Sequence, residues 1–200
     1  MTRTFIAIEL NDAARSYLHQ EIQRLARVLP RVRWVDPETL HLTLAFLGDL
    51  EDAQLDQAIK AAGEIAQAAS PFTVRVGSLG MFGPAQNPHV IWIGLAGNLQ
   101  PLLDVQARLS GRLAKDGFPP DERGYNPHLT LARIKTPLNS QELLALRRVI
   151  SSALPARSHP KQTDDQIRPE IPVAHLSVMK SDLTRAGPHY TRLRLCPFAD

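Results

Sequence analysis

One pentapeptide occurs twice in this 200-residue chain, and its repetition constrains the fold more than any other feature of the sequence. The residues His-Leu-Thr-Leu-Ala fill positions 41–45 and again positions 128–132. Chance gives far fewer than one such five-residue repeat in a chain this short. Self-similarity at a single long interval indicates a duplicated half rather than a solenoid. The chain is therefore predicted to hold one copy of the motif in each half.

Each copy lies in an apolar run that is typical of a β-strand, where alternate side chains share a face. His41 and Thr43 then point one way, and His128 and Thr130 do the same in the second copy. The leucines between them point the other way, towards a core. If the halves pack about a pseudo-twofold axis, both histidine-threonine pairs converge on one cleft.

Two imidazoles and two hydroxyls around one ligand favour acid–base chemistry on a phosphodiester. The unperturbed pKa of histidine is about 6.5, so one ring can act as general base and the other as general acid. Threonine hydroxyls can donate hydrogen bonds to anionic oxygens. A single His-x-Thr is most often incidental, but core packing gives no reason to repeat both residue types together. This chemistry needs no metal ion, and we expect no cofactor.

Composition and short motifs exclude several other classes. With 23 Lys and Arg against 20 Asp and Glu, the net charge is +3, which is compatible with a phosphate-bearing partner without proving one. The single cysteine, Cys196, excludes a disulfide framework and a cysteine-based zinc site. No stretch approaches the ~20 apolar residues of a membrane span, and the first residues lack the features of a signal peptide. We expect a monomer in the cytoplasm.

Strand and helix patterns are interspersed along the chain, with adjacent strand pairs among them. This order favours an α+β fold with mixed or antiparallel sheets over a doubly wound parallel sheet. Asn11 or Asp12 is predicted to cap the first helix. The chain is predicted to form a single domain over residues 1–200. Gly48 is predicted to end the strand of the first motif, and residues 77–88 are predicted to connect two strands. Residues 155–172 are predicted to form a mobile excursion from the domain. The predicted strands cover residues 4–10, 32–35, 40–47, 72–76, 89–95, 128–134, 173–179 and 190–195, and three further helices cover residues 51–68, 98–115 and 140–153.

With both motifs and their flanks taken together, the chain resembles the 2H phosphoesterases. Within them it is most similar to the bacterial and archaeal RNA 2′,3′-cyclic phosphodiesterases, once named 2′-5′ RNA ligases. The resemblance runs nearly end to end. The matching segments are residues 3–8, 33–35, 41–48, 126–133, 181–183 and 187–190.

The resemblance implies a bilobal fold, with two pseudo-symmetric lobes of mixed or antiparallel sheet and outer helices around a central cleft. It implies hydrolysis of a terminal 2′,3′-cyclic phosphate on RNA, or on small cyclic nucleotides, to a 2′-phosphomonoester. In that scheme His41 is the acid for the 3′ leaving oxygen, and His128 orients or deprotonates water. Thr43 and Thr130 bind the phosphate oxygens.

Two further positions match the family pattern, each five residues after its histidine. Phe46 corresponds to a residue that stacks on the terminal base, and Arg133 corresponds to a phosphate ligand. Strict alternation places both on the face opposite to the histidines. Reaching the cleft therefore requires strand twist, a β-bulge or a long side chain.

Other functions stay open at this point. Joining of RNA ends through a 2′-5′ bond is the reverse reaction and would use the same residues, so a comparison of ligation with hydrolysis separates the two. A non-catalytic protein that binds RNA ends would show tight binding without turnover. A metallohydrolase is disfavoured because the sequence has no His-x-His and no His-Glu-x-x-His.

Overall fold

The computed structural model describes residues 1–119, 124–153, 168–184 and 187–199. Within them the chain forms interspersed helices and strands, together with a short 3₁₀ helix over Pro37–Thr39. The helices are α1 (Asp12–Val28), α2 (Asp52–Gln67), α3 (Gln100–Lys115) and α4 (Ser140–Ala153). The strands are β1 (Thr2–Glu9), β2 (Arg33–Trp34), β3 (His41–Leu50), β4 (Phe72–Phe82), β5 (Val90–Ala96), β6 (His128–Arg133), β7 (Glu170–Val173), β8 (His175–Leu183) and β9 (Pro188–Pro197).

The strands make two antiparallel sheets, which we term sheet A and sheet B. Sheet A has the order β3-β1-β8-β9, and sheet B has the order β2-β6-β5-β4-β7. The helices pack against these sheets, α2 on β1, β8 and β9, α3 on β3, α1 on β7 and α4 on β4. The predicted α+β fold with antiparallel sheets is confirmed.

The two halves of the sequence exchange strands. Each motif strand pairs within its own half, β3 beside β1 and β6 beside β5. Other strands pair across the halves, because β4 pairs with β5, β2 with β6 and β8 with β1. Neither sheet can therefore form from one half of the sequence alone.

The core lies on one face of each sheet and takes the leucines of both motif copies. Leu42, Leu44, Leu129 and Leu131 are at most 3% exposed and belong to the same apolar cluster. Helix α1 adds a buried stripe at helical spacing, and its first turn is capped by Asn11, whose side chain accepts a hydrogen bond from the backbone. The placement of these leucines in the core agrees with the alternation expected from the sequence.

Gly48 lies inside β3, which continues to Leu50, so the prediction that it ends the strand was wrong. The ladder with β1 is irregular beside it, where Leu47 has no partner. Gly48 has a φ of 76°, a conformation that glycine adopts without steric cost. The glycine therefore belongs to a bulge rather than to a strand end.

Residues 77–82 are also strand, since β4 runs to Phe82, and the prediction of a connection was wrong for them. Backbone atoms of Gly94 lie 2.8 Å from the point where a Cβ of Gly77 would stand. The ring of Trp92 covers the corresponding point at Gly80. These glycines permit close approach of neighbouring groups, which is a common reason for glycine within a strand.

The predicted excursion ends earlier than the sequence suggested. Glu170 to Pro172 form part of β7, which pairs with β4 and buries Ile171. The proline there is tolerated because β7 is the edge strand of sheet B. The rest of the predicted excursion, up to residue 167, lies outside the described residues. Among the described helices, none is long and apolar enough to cross a membrane.

Substitution of two glycines by alanine tests the close packing of β4 against β5. We expect Gly77→Ala to lower the free energy of unfolding by about 1–3 kcal/mol, because the added methyl group meets backbone that cannot turn aside. Gly63→Ala in α2 is the matched control, since nothing lies within 4 Å of its added methyl group. The control is expected to gain ~0.5–1 kcal/mol from helix propensity. Urea unfolding measures both changes, and equal stability of the Gly77→Ala variant and the native chain would contradict the packing.

Candidate active site

The His41 ring is held at the start of β3 by one hydrogen bond and two aromatic rings. Its Nδ1 lies 2.8 Å from the backbone carbonyl oxygen of Thr39. A carbonyl oxygen can only accept, so Nδ1 carries the proton in this bond and Nε2 is the nitrogen available for chemistry. The ring centroids of Phe5 and Tyr190 lie 4.6 and 5.0 Å from that of His41.

His128 is held in the same way at the start of β6. Its Nδ1 lies 2.7 Å from the carbonyl oxygen of Asn126, again two residues upstream, which leaves Nε2 available. The ring edge packs against Phe82, with centroids 4.8 Å apart, and against Trp92 at 6.2 Å. The duplication has thus preserved the orientation of the imidazole together with the pentapeptide.

A β-bulge interrupts the first motif strand directly after its threonine. Thr43 pairs with Ala7, whereas Ala45 pairs with Ile6, so Leu44 has no partner on β1. One extra residue inverts the alternation of side chains beyond it. Beyond the bulge Phe46 pairs with Phe5 and lies on the same face as His41 and Thr43.

The second motif strand carries a bulge at the equivalent residue. Thr130 pairs with Trp92 and Ala132 pairs with Ile91, so Leu131 has no partner on β5. Arg133 pairs with Val90, two residues from Trp92, and therefore shares a face with Thr130 and His128. We call these two surfaces, with His41, Thr43 and Phe46 on sheet A and His128, Thr130 and Arg133 on sheet B, the histidine faces.

The two motif strands lie close together although they belong to different sheets. Residues of β3 contact residues of β6. The pKa of Tyr190 on sheet A is raised by burial, and the nearby charges of Arg133 on sheet B and Arg3 oppose that increase. The Nη2 of Arg33 in sheet B lies 3.9 Å from the point where a Cβ of Gly187 would stand, and Gly187 lies between β8 and β9. Arg133 of the sheet B histidine face thus lies near Tyr190, whose ring packs against His41 of the sheet A histidine face.

The two threonines are half-buried on these faces. The side chains of Thr43 and Thr130 form no hydrogen bond with another described residue, and their hydroxyls remain available to a ligand. Phe46 is 56% exposed, and the guanidinium of Arg3 lies 4.8 Å from its ring centroid. This contact stiffens an aromatic side chain that otherwise extends into solvent.

Glu9 is a neighbour of His41 that sequence reasoning missed. The two residues pair directly across β1 and β3. Glu9 Oε2 accepts hydrogen bonds from Ser177 Oγ at 2.7 Å and from Arg192 Nη1 at 3.0 Å. Burial lowers the pKa of His41, while the Thr39 carbonyl and the Glu9 carboxylate act in the opposite direction by favouring the imidazolium.

The second copy has no such carboxylate, because the residue paired with His128 is Gly94. The halves therefore agree in the geometry of the imidazoles and differ in their electrostatics. A carboxylate at the end of an N-terminal apolar strand gives no sequence signal of its own, since the pairing register that brings Glu9 beside His41 is not visible in the sequence. Among the described residues, no cluster of three or more histidine, cysteine or carboxylate side chains could hold a metal ion.

Paired His-x-Thr strands on two interlocked antiparallel sheets define the class of two-histidine phosphoesterases. The profile of the family described as LigT like Phosphoesterase matches residues 8–92 and again residues 93–190. The RNA 2′,3′-cyclic phosphodiesterase of Methanothermobacter thermautotrophicus is 29% identical over 193 residues, which cover 96% of this chain and 97% of that protein. The protein of the same name from Aquifex aeolicus is 32% identical over 164 residues, which cover 80% of this chain and 78% of that protein.

Solved structures show the same fold. The protein TT0787 of Thermus thermophilus superposes with a TM-score of 0.77 at 24% identity, covering 98% of this chain and 97% of that chain. LigT of E. coli in apo form superposes with a TM-score of 0.72 at 23% identity, covering 100% and 98%. The chain belongs to the LigT like Phosphoesterase family, and the resemblance inferred from the paired motifs is confirmed.

Titration of His41 tests the electrostatics of the first copy. In the native chain we expect its imidazole to titrate below the ordinary value of about 6.5, because burial disfavours the charged ring. Glu9→Gln removes a charge that favours the imidazolium and is expected to lower the pKa further, while the amide oxygen can still accept from Ser177. Histidine Cε1 proton shifts in NMR follow the titration, and a His41→Gln variant assigns the signal. A pKa that rises or stays constant in Glu9→Gln would show that the carboxylate does not act on the ring.

Proposed function

We propose that the protein hydrolyses 2′,3′-cyclic phosphate ends of RNA to 2′-phosphomonoesters, with His41 and His128 as general acid and general base and without a metal ion. One observation carries the proposal: both imidazoles donate from Nδ1 to a backbone carbonyl two residues upstream, at 2.8 and 2.7 Å. Each ring therefore presents Nε2 on a face that also carries a threonine hydroxyl. The activity named for the curated relatives supports the same reaction.

The proposed reaction is an in-line displacement at phosphorus. Water attacks the phosphorus atom and its proton passes to Nε2 of His128, whose Nδ1–H stays bonded to Asn126. The P–O3′ bond breaks, and the departing O3′ takes the proton from Nε2 of the His41 imidazolium. The product keeps its phosphate on O2′. His128 ends protonated and His41 neutral, and proton exchange with solvent restores the starting state.

The neighbouring groups of the histidine faces supply the remaining stabilisation. Thr43 and Thr130 donate hydrogen bonds to the two non-bridging oxygens, whose negative charge grows as water attacks. Arg133 adds a guanidinium that can bind the same oxygens. Phe46 offers an exposed ring to the terminal base, and base–aromatic stacking of this kind is tolerant of sequence.

One difference between the two copies, the Glu9 carboxylate, supports His41 as the acid. A general acid must begin protonated. Burial lowers the pKa of His41 and works against this, whereas the Thr39 carbonyl and Glu9 favour the imidazolium, and Gly94 places no carboxylate beside His128. A bound phosphodiester carries a negative charge that favours the imidazolium as well. The assignment of His41 as the acid therefore rests on the family resemblance, and the Glu9 carboxylate and the bound phosphodiester support it by favouring the imidazolium. We further propose that RNA ends or small cyclic nucleotides are the substrates and that the enzyme acts as a cytoplasmic monomer.

Single alanine substitutions of the two histidines test the proposal. We expect His41→Ala and His128→Ala each to lower kcat by a factor of about 10²–10⁴ on an oligonucleotide with a 2′,3′-cyclic phosphate end, because each removes one proton transfer. His19→Ala is the matched control, since His19 is exposed on α1 and bonds only to Gln23 among the described residues. Product analysis distinguishes the 2′- from the 3′-monoester, and turnover is measured with and without chelator.

Four outcomes contradict the proposal in different ways. Near-native activity of both single variants would remove the histidines from the reaction. Chelator inhibition with metal rescue would identify a metallohydrolase. If an added RNA with a 5′-hydroxyl end is joined faster than the cyclic end is hydrolysed, end-joining is the principal activity. Binding without turnover at any pH would indicate a protein that only binds RNA ends.

A further inference from the structure

A basic groove runs along the edge of sheet B, next to the histidine face, and of its cationic side chains the proposed reaction uses only Arg133. It is a cavity of about 180 Å³ between β2 and the end of β6. Four cationic side chains, Arg31, Arg33, Arg133 and Lys135, line it, and no acidic side chain is among the lining residues in the described part of the chain. We use the name basic groove for this cavity and these four side chains.

The sheet register concentrates this charge. Arg33 and Arg133 pair directly across β2 and β6, so their side chains leave the sheet on the same face. Like charges directly opposite each other destabilise a strand pair. Lys135 follows two residues after Arg133, in a segment whose Ile134 amide still donates to the His89 carbonyl. The alternation therefore continues and brings Lys135 to the same side as the two arginines.

The members of the groove differ in whether their charge is compensated. Arg31 donates to both carboxylate oxygens of Glu142, at 2.8 and 2.6 Å, and this pairing lowers the pKa of Glu142 to about 2. Arg31 is thus held in place by Glu142, which also neutralises its charge. Lys135 forms no ion pair with any described residue and is exposed. An exposed cation that no described carboxylate neutralises favours an anionic ligand.

The groove is continuous with the proposed active site. Arg133 belongs to both, since it lines the groove and shares a face with His128 and Thr130. Arg33 extends the line of charge towards the turn at Gly187 in sheet A. A polyanion whose last phosphate lies between the histidines would therefore leave the site over Arg133 and pass along Arg33 and Lys135.

We propose that the basic groove binds the ribose–phosphate backbone of the nucleotides that precede the cyclic end, and that the protein therefore acts on RNA chains in preference to cyclic mononucleotides. This inference rests on the proposed function. The 2′,3′-cyclic phosphate is at the 3′ end, so the rest of the substrate extends in the 5′ direction from the site. Cationic side chains without an aromatic neighbour in the lining contact phosphates rather than bases, and such binding is independent of sequence.

Charge removal in the groove tests this inference with two substrates. We compare 2′,3′-cyclic AMP with a hexanucleotide that ends in a 2′,3′-cyclic phosphate. Lys135→Gln is expected to raise KM for the hexanucleotide about fivefold, with kcat and the kinetics of cyclic AMP unchanged. The double variant Arg33→Gln with Lys135→Gln is expected to raise KM further. Lys115→Gln is the matched control, because Lys115 is exposed on α3, which packs on the core side of β3.

The salt dependence of binding provides a readout that a purely structural effect does not change. Affinity for a hexanucleotide that carries the product 2′-monophosphate is measured by fluorescence anisotropy between low and moderate salt. For a single strand, each phosphate contact contributes about 0.7 to the slope of log K against log salt. We therefore expect the slope to fall by about 0.7 in Lys135→Gln and to stay unchanged in Lys115→Gln.

Failure of this inference differs from failure of the proposed function. Equal kcat/KM of the native chain for both substrates, or a salt slope that Lys135→Gln leaves unchanged, would overturn the groove even if hydrolysis is intact. Loss of activity towards both substrates to the same extent in Lys135→Gln would likewise exclude a backbone site. If the native chain hydrolyses neither substrate, the proposed function fails, and the anisotropy measurement still decides whether the groove binds RNA.

Discussion

The site depends on the antiparallel ladder between each motif strand and its neighbour, and above all on one residue without a partner in each ladder. Leu44 and Leu131 occupy equivalent places, and each inverts the alternation of its strand after the threonine. The histidine, the threonine and the residue five positions after the histidine then share one face, while the leucines fill the core. A regular strand would turn Phe46 and Arg133 away from the histidines. The bulge thus places three polar or aromatic side chains of each motif strand on its histidine face.

Duplication explains how one architecture can present two chemically distinct histidines. The features that fix the imidazole repeat, namely the Nδ1 bond to the carbonyl two residues upstream and the aromatic packing. The residues paired with the motif do not repeat, because Glu9 faces His41 where Gly94 faces His128. In the proposed reaction, the acid and the base must start in opposite protonation states. The motif strands β3 and β6 have kept the same geometry, while their neighbours β1 and β5 have diverged. This divergence gives His41 and His128 different electrostatic surroundings.

The sequence predicted the repeat, the antiparallel α+β fold and the outward faces of both motifs, since these follow from periodicity over a few residues. Three features needed the structure. Gly48 and Gly77 were interpreted as breakers, but they lie within strands, where positive φ and close backbone approach require glycine. From the sequence, a β-bulge was one of three ways to bring Phe46 and Arg133 to the side of the histidines, beside strand twist and a long side chain. Glu9 acts through strand pairing, which is set by contacts distant in sequence and leaves no local signal.

The edge of sheet B shows how stability and binding compete in this fold. Direct pairing of Arg33 with Arg133 works against the β2–β6 ladder, which has only two paired positions. One backbone hydrogen bond compensates in part, because the Val35 amide donates to the Leu131 carbonyl next to this ladder. The carboxylate of Glu142 is bonded to Arg31 and to the start of α4. In the proposed complex, RNA phosphates along the basic groove would offset the repulsion between Arg33 and Arg133, so bound RNA is expected to stabilise this edge of sheet B.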